Sequence, residues 1–346
     1  MHISKLNVAS YFVLASLLTP PAFAADSPAP PIQIGDKFDA TDTLSCGDES
    51  GAEAKEYLGT LSWKPSKFTV QIEAADSKDA DYLVRFPSAR PIGNDKNDLV
   101  AVQWYAARDK DKAIRKARAV VVVHESGSHM TVGRLIARNI RDQGLHAFLV
   151  ELPGYGARRD ASFPMEQRLL PSTRQGFADV RRARDAVVAI PAVDPSVVGL
   201  QGTSLGGFVT ATVAGLDHGY DRIFILLAGG NLEDVIFSGS KEAVKMREKL
   251  SAAGLTNDQI REFAHQADPL RVATRIRPDN TWLYSAQFDS VVPPACCQAL
   301  AKAAHLPKDH FIEFAANHYT GIIFLPSVIH DISQHMMESR DEHTQD

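Results

Sequence analysis

The chain has 346 residues, 45% of them apolar, and a net charge of −5 with acidic and basic residues intermixed. That is enough apolar chain for one large α/β domain, or two small ones, around a buried core. It excludes a nucleic-acid footprint, because the arginine clusters Arg108 to Arg118 and Arg181 to Arg184 are short and read as solvated faces.

Residues 1–24 combine Lys5, an apolar run from Val8 to Leu18, the pair Pro20-Pro21 and the small-residue site Ala22-Phe23-Ala24. The run is too short to span a bilayer as a stable helix, so the pattern is that of a signal peptide cut after Ala24, and the mature chain is expected to be periplasmic or secreted. No cysteine stands at the cut to carry a lipid, and no later stretch suits a membrane helix, so no stable membrane anchor is expected. In an exported chain, Cys46, Cys296 and Cys297 leave an odd thiol. Adjacent cysteines close on each other only with strain, so two uses stand open: a bridge from Cys46 to Cys296 or Cys297, or three buried thiols.

Residues 25–67 read as an N-terminal lead, Pro- and Ala-rich from Asp26 to Ile34, with the domain proper expected over 68–346. Phe68 to Glu73, Tyr82 to Phe86 and Leu99 to Tyr105 alternate apolar and polar residues, as half-buried, mostly antiparallel strands do at one edge of a sheet. Ala119 to Val123 is instead a continuous apolar run, suited to a strand covered on both faces. From there strands and helices alternate: helix 132–143, strand 147–152, helix 174–188, strand 197–201, helix 205–214, strands 222–227 and 281–287, helix 295–304, strand 311–314 and helix 322–337. This rhythm predicts a mainly parallel, doubly wound sheet. Residues 231–269 interrupt it with charged helical sequence and are read as a lid inserted over the strand ends, the alternative being a surface excursion.

The stretch Gly202-Thr203-Ser204-Leu205-Gly206-Gly207 joins an apolar strand to a small-residue helix. A sharp reversal there strains the serine and crowds its neighbours, so Gly202 and Gly206 stand where a Cβ would clash, and the hydroxyl is pushed into the open. A serine nucleophile needs a histidine base and a group to orient it. The stretch Thr281 to Phe288 ends at Asp289, and the stretch Phe311 to Asn317 delivers His318, both at the carboxyl ends where an open parallel sheet does its chemistry. His310 lies at the wrong end of its strand, His330 and His335 on the last helix, His218 in a turn and His265 in the insertion. For the developing oxyanion, Leu205 offers the first N–H of the helix, and the turn His124-Glu125-Ser126-Gly127 offers a second from Ser126 or, alternatively, Glu125. A zinc site at His124, Glu125 and His129 is not expected, since the histidines stand five apart after a strand rather than four apart on a helix.

With these residues in place the chain resembles the α/β-hydrolase superfamily, in its serine esterase and lipase-like members. The likeness is carried by Gly202 to Gly207, the His124-Glu-Ser-Gly turn, Leu152-Pro-Gly-Tyr-Gly156, Phe288-Asp289-Ser-Val-Val-Pro293 and Asn317-His318-Tyr-Thr, and spans roughly residues 68 to 337. It implies an α/β-hydrolase fold with Ser204 as nucleophile, His318 as base, Asp289 as orienting acid, and Leu205 and Ser126 as oxyanion donors, without cofactor or metal. Members with a clear oxyanion signature commonly have glycine after the histidine, where this chain has Glu125. The expected activity is cleavage of a small-molecule ester or other acyl substrate. A peptidase or amidase using the same groups, and a binding protein that kept the fold without catalysis, are the alternatives. Specificity is expected to lie in 231–269 and loop 155–170.

Overall fold

A computed structural model of the chain describes residues 29–338 apart from 48, 50 and 164–167. The expected signal peptide and its cut after Ala24 lie outside the described residues. Strands β1 (Lys37–Thr41), β2 (Lys67–Ala74), β3 (Tyr82–Pro87) and β4 (Leu99–Tyr105) pair antiparallel in succession. Strands β5 (Ala117–Val123), β6 (His146–Glu151), β7 (Val193–Thr203), β8 (Arg222–Leu226), β9 (Thr281–Ala286) and β10 (Phe311–Phe314) run parallel. β4 meets β6 antiparallel, and the order across the sheet is β1-β2-β3-β4-β6-β5-β7-β8-β9-β10.

Ten α-helices accompany them among the described residues: α1 (Ala52–Leu61), α2 (Asp95–Asp98), α3 (Thr131–Asp142), α4 (Leu169–Val188), α5 (Leu205–Asp217), α6 (Leu232–Ser238), α7 (Glu242–Ala252), α8 (Asn257–Ala267), α9 (Pro294–Ala303) and α10 (Leu325–Met337). The valine run of β5 shows why its sequence does not alternate. Val120 and Val122 pack on one face with Ile136 and Ile140 of α3 and Ile332 of α10. Val121 and Val123 face the other layer, which holds Val180 of α4 and Val213 of α5. Both faces are dry, so every position is apolar.

Several expectations need correction. The part of the expected N-terminal lead beyond Ile34 is built into the domain: β1 pairs with β2, Phe38 opposite Val70 and Ala40 opposite Phe68, and α1 buries Tyr57, Leu58 and Leu61. Arg181, Arg182 and Arg115 are not on a solvated face but buried, at 1%, 4% and 8% exposure. Arg181 and Arg182 are buried because carboxylates meet them: Asp185 and Asp217 for Arg181, Asp42 for Arg182. The three cysteines are free thiols with no bridge. The Cys46 carbonyl accepts from the Arg275 guanidinium, whereas the Cys296 carbonyl accepts the Gly230 amide at 2.8 Å, so the two cysteines occupy different surroundings. The last helix begins at Leu325 rather than 322, after a 3-10 turn over Thr320–Phe324, because Pro326 fits only a first helical turn.

The stretch 231–269 holds α6, α7 and α8 around their own apolar cluster of Ile236, Leu250, Ile260 and Phe263. Thr256 and Gln259 form a reciprocal capping box that starts α8. Asp268 accepts the Leu232 amide at 2.8 Å and the Leu270 amide at 2.9 Å, tying the two ends of the stretch together.

Candidate active site

β5 lies between β6 and β7, so the chain leaves it in opposite directions along the sheet and opens a crevice at the carboxyl ends of β5 and β7. Ser204 stands there, directly after β7, at φ 52° and ψ −116°, with its amide donated to Leu226 O at 2.8 Å. Such a backbone costs about 1–3 kcal/mol and persists only where its surroundings enforce it. The enforcing contacts are close. A Cβ on Gly202 would stand 2.2 Å from Gly206 O, and one on Gly206 would stand 2.2 Å from Val123 O and 2.7 Å from His124 O. The start of α5 is therefore pressed against the end of β5.

The structure brings the three singled-out side chains into one line. Ser204 Oγ is 3.1 Å from His318 Nε2, and His318 Nδ1 is 2.7 Å from Asp289 Oδ2. Asp289 Oδ1 accepts the amides of Val291 and Val292 at 2.8 and 2.9 Å, so its carboxylate is fixed on both oxygens. The Asp289 side chain is 2% exposed and that of His318 11%. With Nδ1–H donated to Asp289, Nε2 is left with a lone pair to accept the Ser204 hydroxyl hydrogen. The Asn317 side chain sets the His318 turn, its Oδ1 accepting the amides of Tyr319 and Thr320, each at 3.0 Å. Competing histidines are engaged elsewhere: His310 meets Pro278 O, and His335 stacks on Trp282 between Asp331 and Glu338.

The turn after β5 is held from three directions. His124 is fully buried, which pushes its imidazole down to about 4 and keeps it neutral near pH 7. Its Nδ1 lies 2.6 Å from Glu125 O, and its Nε2 accepts the Leu152 amide at 3.1 Å. Both ring nitrogens are thus occupied by backbone, which leaves no lone pair for a metal. Glu125 Oε1 and Oε2 accept the amides of Val132 and Gly133 at 3.1 and 3.0 Å, so this carboxylate serves the start of α3. Tyr155 donates its phenol to Ser126 O at 3.2 Å. In a trans peptide the carbonyl and the following N–H point apart. With Glu125 O drawn back to His124, the Ser126 N–H therefore faces away from the buried ring. The Leu205 N–H, first of the α5 amides, has no acceptor within its helix.

Sequence alone did not find Tyr155 as a clamp on Ser126 or the partner of Tyr319, although both tyrosines sit in stretches that carried the resemblance. Each meets its partner across the fold, at a separation no local pattern encodes.

No sequence-family profile and no curated protein sequence matches the chain. Solved structures do. The chain superposes on an acetyl xylan esterase from Thermoanaerobacterium with TM-score 0.58 and 16% identity, covering 84% of this chain and 96% of that one. An acetyl xylan esterase from Paenibacillus gives TM-score 0.56 and 16% identity over the same shares. A puromycin-hydrolysing peptidase from Mycobacterium tuberculosis gives TM-score 0.54 and 17% identity, over 79% of this chain and 46% of that one. With its strand order, its serine on the turn after β7 and these likenesses, the chain has the α/β-hydrolase fold.

Proposed function

We propose that the protein is an exported serine hydrolase that cleaves carboxylic esters through an acyl-enzyme. The observation that carries this is the strained Ser204, with Oγ 3.1 Å from an imidazole that Asp289 orients at 2.7 Å. Ser204 Oγ attacks the ester carbonyl carbon while its hydrogen passes to His318 Nε2, and Asp289 stabilises the imidazolium. The carbonyl electron pair moves onto oxygen, where the amides of Leu205 and Ser126 receive the charge. Collapse breaks the bond to the alcohol oxygen, which leaves with the proton from His318. Water then attacks the acyl-enzyme, giving its proton to His318, and the second collapse returns that proton to Ser204 and releases the acid. Export rests on the signal-peptide pattern of residues 1–24 and accompanies the proposal.

The mouth of the site favours a substrate with an apolar part. Phe288 precedes Asp289 and is 67% exposed, while Ile322 and Ile323, just after the His318 turn, are 47% and 73% exposed. Burying each added methylene against such side chains is worth up to about 0.8 kcal/mol, or roughly fourfold in kcat/KM.

A fluorophosphonate probe followed by peptide mapping tests the proposal. The expected label is on Ser204 alone, with p-nitrophenyl esters hydrolysed faster as the acyl chain lengthens. A label on Ser126 or Ser290 with Ser204 untouched would overturn the assignment. Faster cleavage of matched anilides than of esters would make the enzyme an amidase. An unlabelled, folded protein would point to a binding role.

A further inference from the structure

The 231–269 stretch reaches the site through a few consecutive residues. Gly239 runs so close to the acid loop that an added Cβ would stand 2.5 Å from Val291 O. Ser240 donates its amide to Ser290 O at 2.7 Å and its hydroxyl to Ser290 Oγ at 2.8 Å. Two residues later, Glu242 accepts the phenol hydrogen of Tyr319, and Lys241 Nζ sits 4.3 Å from the centre of the Tyr319 ring. Ser290 follows Asp289, and Tyr319 follows His318. Ser240 to Glu242 therefore hold the two loops that carry the acid and the base.

The backbone between these contacts is strained. Lys241 takes φ 52° and ψ −101°, close to the φ 52° and ψ −116° of Ser204. A lysine in that region is held there by what its neighbours grip on either side. Tyr319 transmits the grip: its ring stands edge-on to the His318 imidazole, centroids 5.7 Å apart and planes at 79°. Asn317 already pins the backbone of this turn, so the torsions of the Tyr319 side chain are what remain to be fixed, and the Glu242 carboxylate fixes them.

We propose that Ser240 to Glu242 form a clasp in which Glu242 is a positioning residue, holding His318 in line with Ser204 through Tyr319. The chemical use of the clasp rests on the serine hydrolase reading, whereas its effect on the imidazole does not. Misalignment of reacting groups by a fraction of an ångström lowers rates without unfolding anything. Loss of one partly exposed hydrogen bond is expected to slow acylation about threefold to tenfold.

The test compares Glu242→Ala, Glu242→Gln, Tyr319→Phe and the double variant Glu242→Ala/Tyr319→Phe. Three quantities are measured on the full chain: the rate of fluorophosphonate labelling at Ser204, the solvent exchange of the His318 Nδ1–H by NMR, and the melting temperature. Glu242→Ala and Tyr319→Phe are each expected to slow labelling and speed exchange by similar factors. The double variant is expected to match either single one, and Glu242→Gln, which keeps an acceptor, to restore both readouts. Exchange within twofold of wild type in both single variants would overturn the clasp, even if the melting temperature falls, and so would effects that multiply in the double variant. A wild-type protein that takes no label at Ser204 would overturn the hydrolase reading instead, and the exchange rates would then judge the clasp alone.

Discussion

Two regions of the molecule bury aspartates for opposite ends. On the α4 side the partner is arginine: Arg158 meets Asp179 at 2.6 Å, Arg181 meets Asp217 at 2.7 Å and Asp185 at 3.1 Å, and Arg182 meets Asp42 at 2.5 Å, all with side chains at most 5% exposed. At the crevice the partner of Asp289 is a histidine, with two backbone amides on the other oxygen. A guanidinium keeps its proton at any pH a folded protein meets, so the first kind of pair holds elements together and transfers nothing. An imidazole can take up and return a proton, which is what the proposed reaction asks of the second kind. The carboxylates differ little in burial; the partner decides whether each one is structural or chemical.

The largest expected effect tests the chemical side. In Asp289→Asn the new amide would donate to His318 Nδ1 and strand the ring hydrogen on Nε2, where it cannot accept from Ser204. Turnover is expected to fall by up to about 10⁴-fold, as when the analogous aspartate of serine proteases is replaced, with the melting temperature nearly unchanged. Parallel kcat and thermal-melt measurements check this. Asp42→Asn tests the structural side. It leaves the Arg182 guanidinium buried without its countercharge and loosens the 41–66 stretch from α4, at an expected cost of about 3–5 kcal/mol, read by urea unfolding. Turnover of the folded variant is expected to match wild type. Burial pushes the Asp42 carboxyl up, but hydrogen bonds from Arg182 and the Ser66 amide, with the charge of Arg182, outweigh burial and hold it below its ordinary value. A lowered folded-state value means that this stability is whole above the ordinary carboxylate range and is lost as pH falls through the lowered one. The variant should lose that part of the acid sensitivity. A loss of turnover in Asp42→Asn as deep as in Asp289→Asn would break the comparison.

The crevice was more legible in the sequence than the α4 side, for a physical reason. Ser204 follows β7 directly, and Asp289 and His318 come three and four residues after β9 and β10, and carboxyl ends of parallel strands converge whatever the loops do. The glycines around Ser204 mark a turn whose crowding is local. The α4 arginines carry no such mark, since whether Arg182 faces solvent or Asp42 depends on a partner 140 residues away. The short β1 offers only Phe38 and Ala40 as inward residues and gains its place by pairing with β2, a decision made by the partner. The Tyr319 to Glu242 contact spans 77 residues for the same reason.

The smallest expected effect concerns a third carboxylate that belongs to neither kind. Glu125 stands in the turn beside the crevice, where sequence offered it as a possible oxyanion donor through its amide. Its side chain instead takes the Val132 and Gly133 amides, in place of the cap that Met130 lacks. Glu125→Gln keeps one acceptor for those amides and loses the negative charge at the helix start, which is worth about 0.5–1 kcal/mol. The backbone of the turn is held separately, by His124 on Glu125 O and by Tyr155 on Ser126 O, so the amides facing the crevice should keep their direction. Turnover is therefore expected to stay near wild type while the melting temperature drops by about one degree. Measuring both quantities on Glu125→Gln alongside Asp289→Asn separates the three carboxylate roles. A collapse of turnover in Glu125→Gln with Asp289→Asn spared would transfer the orienting acid from Asp289 to Glu125 and undo the division between the two regions.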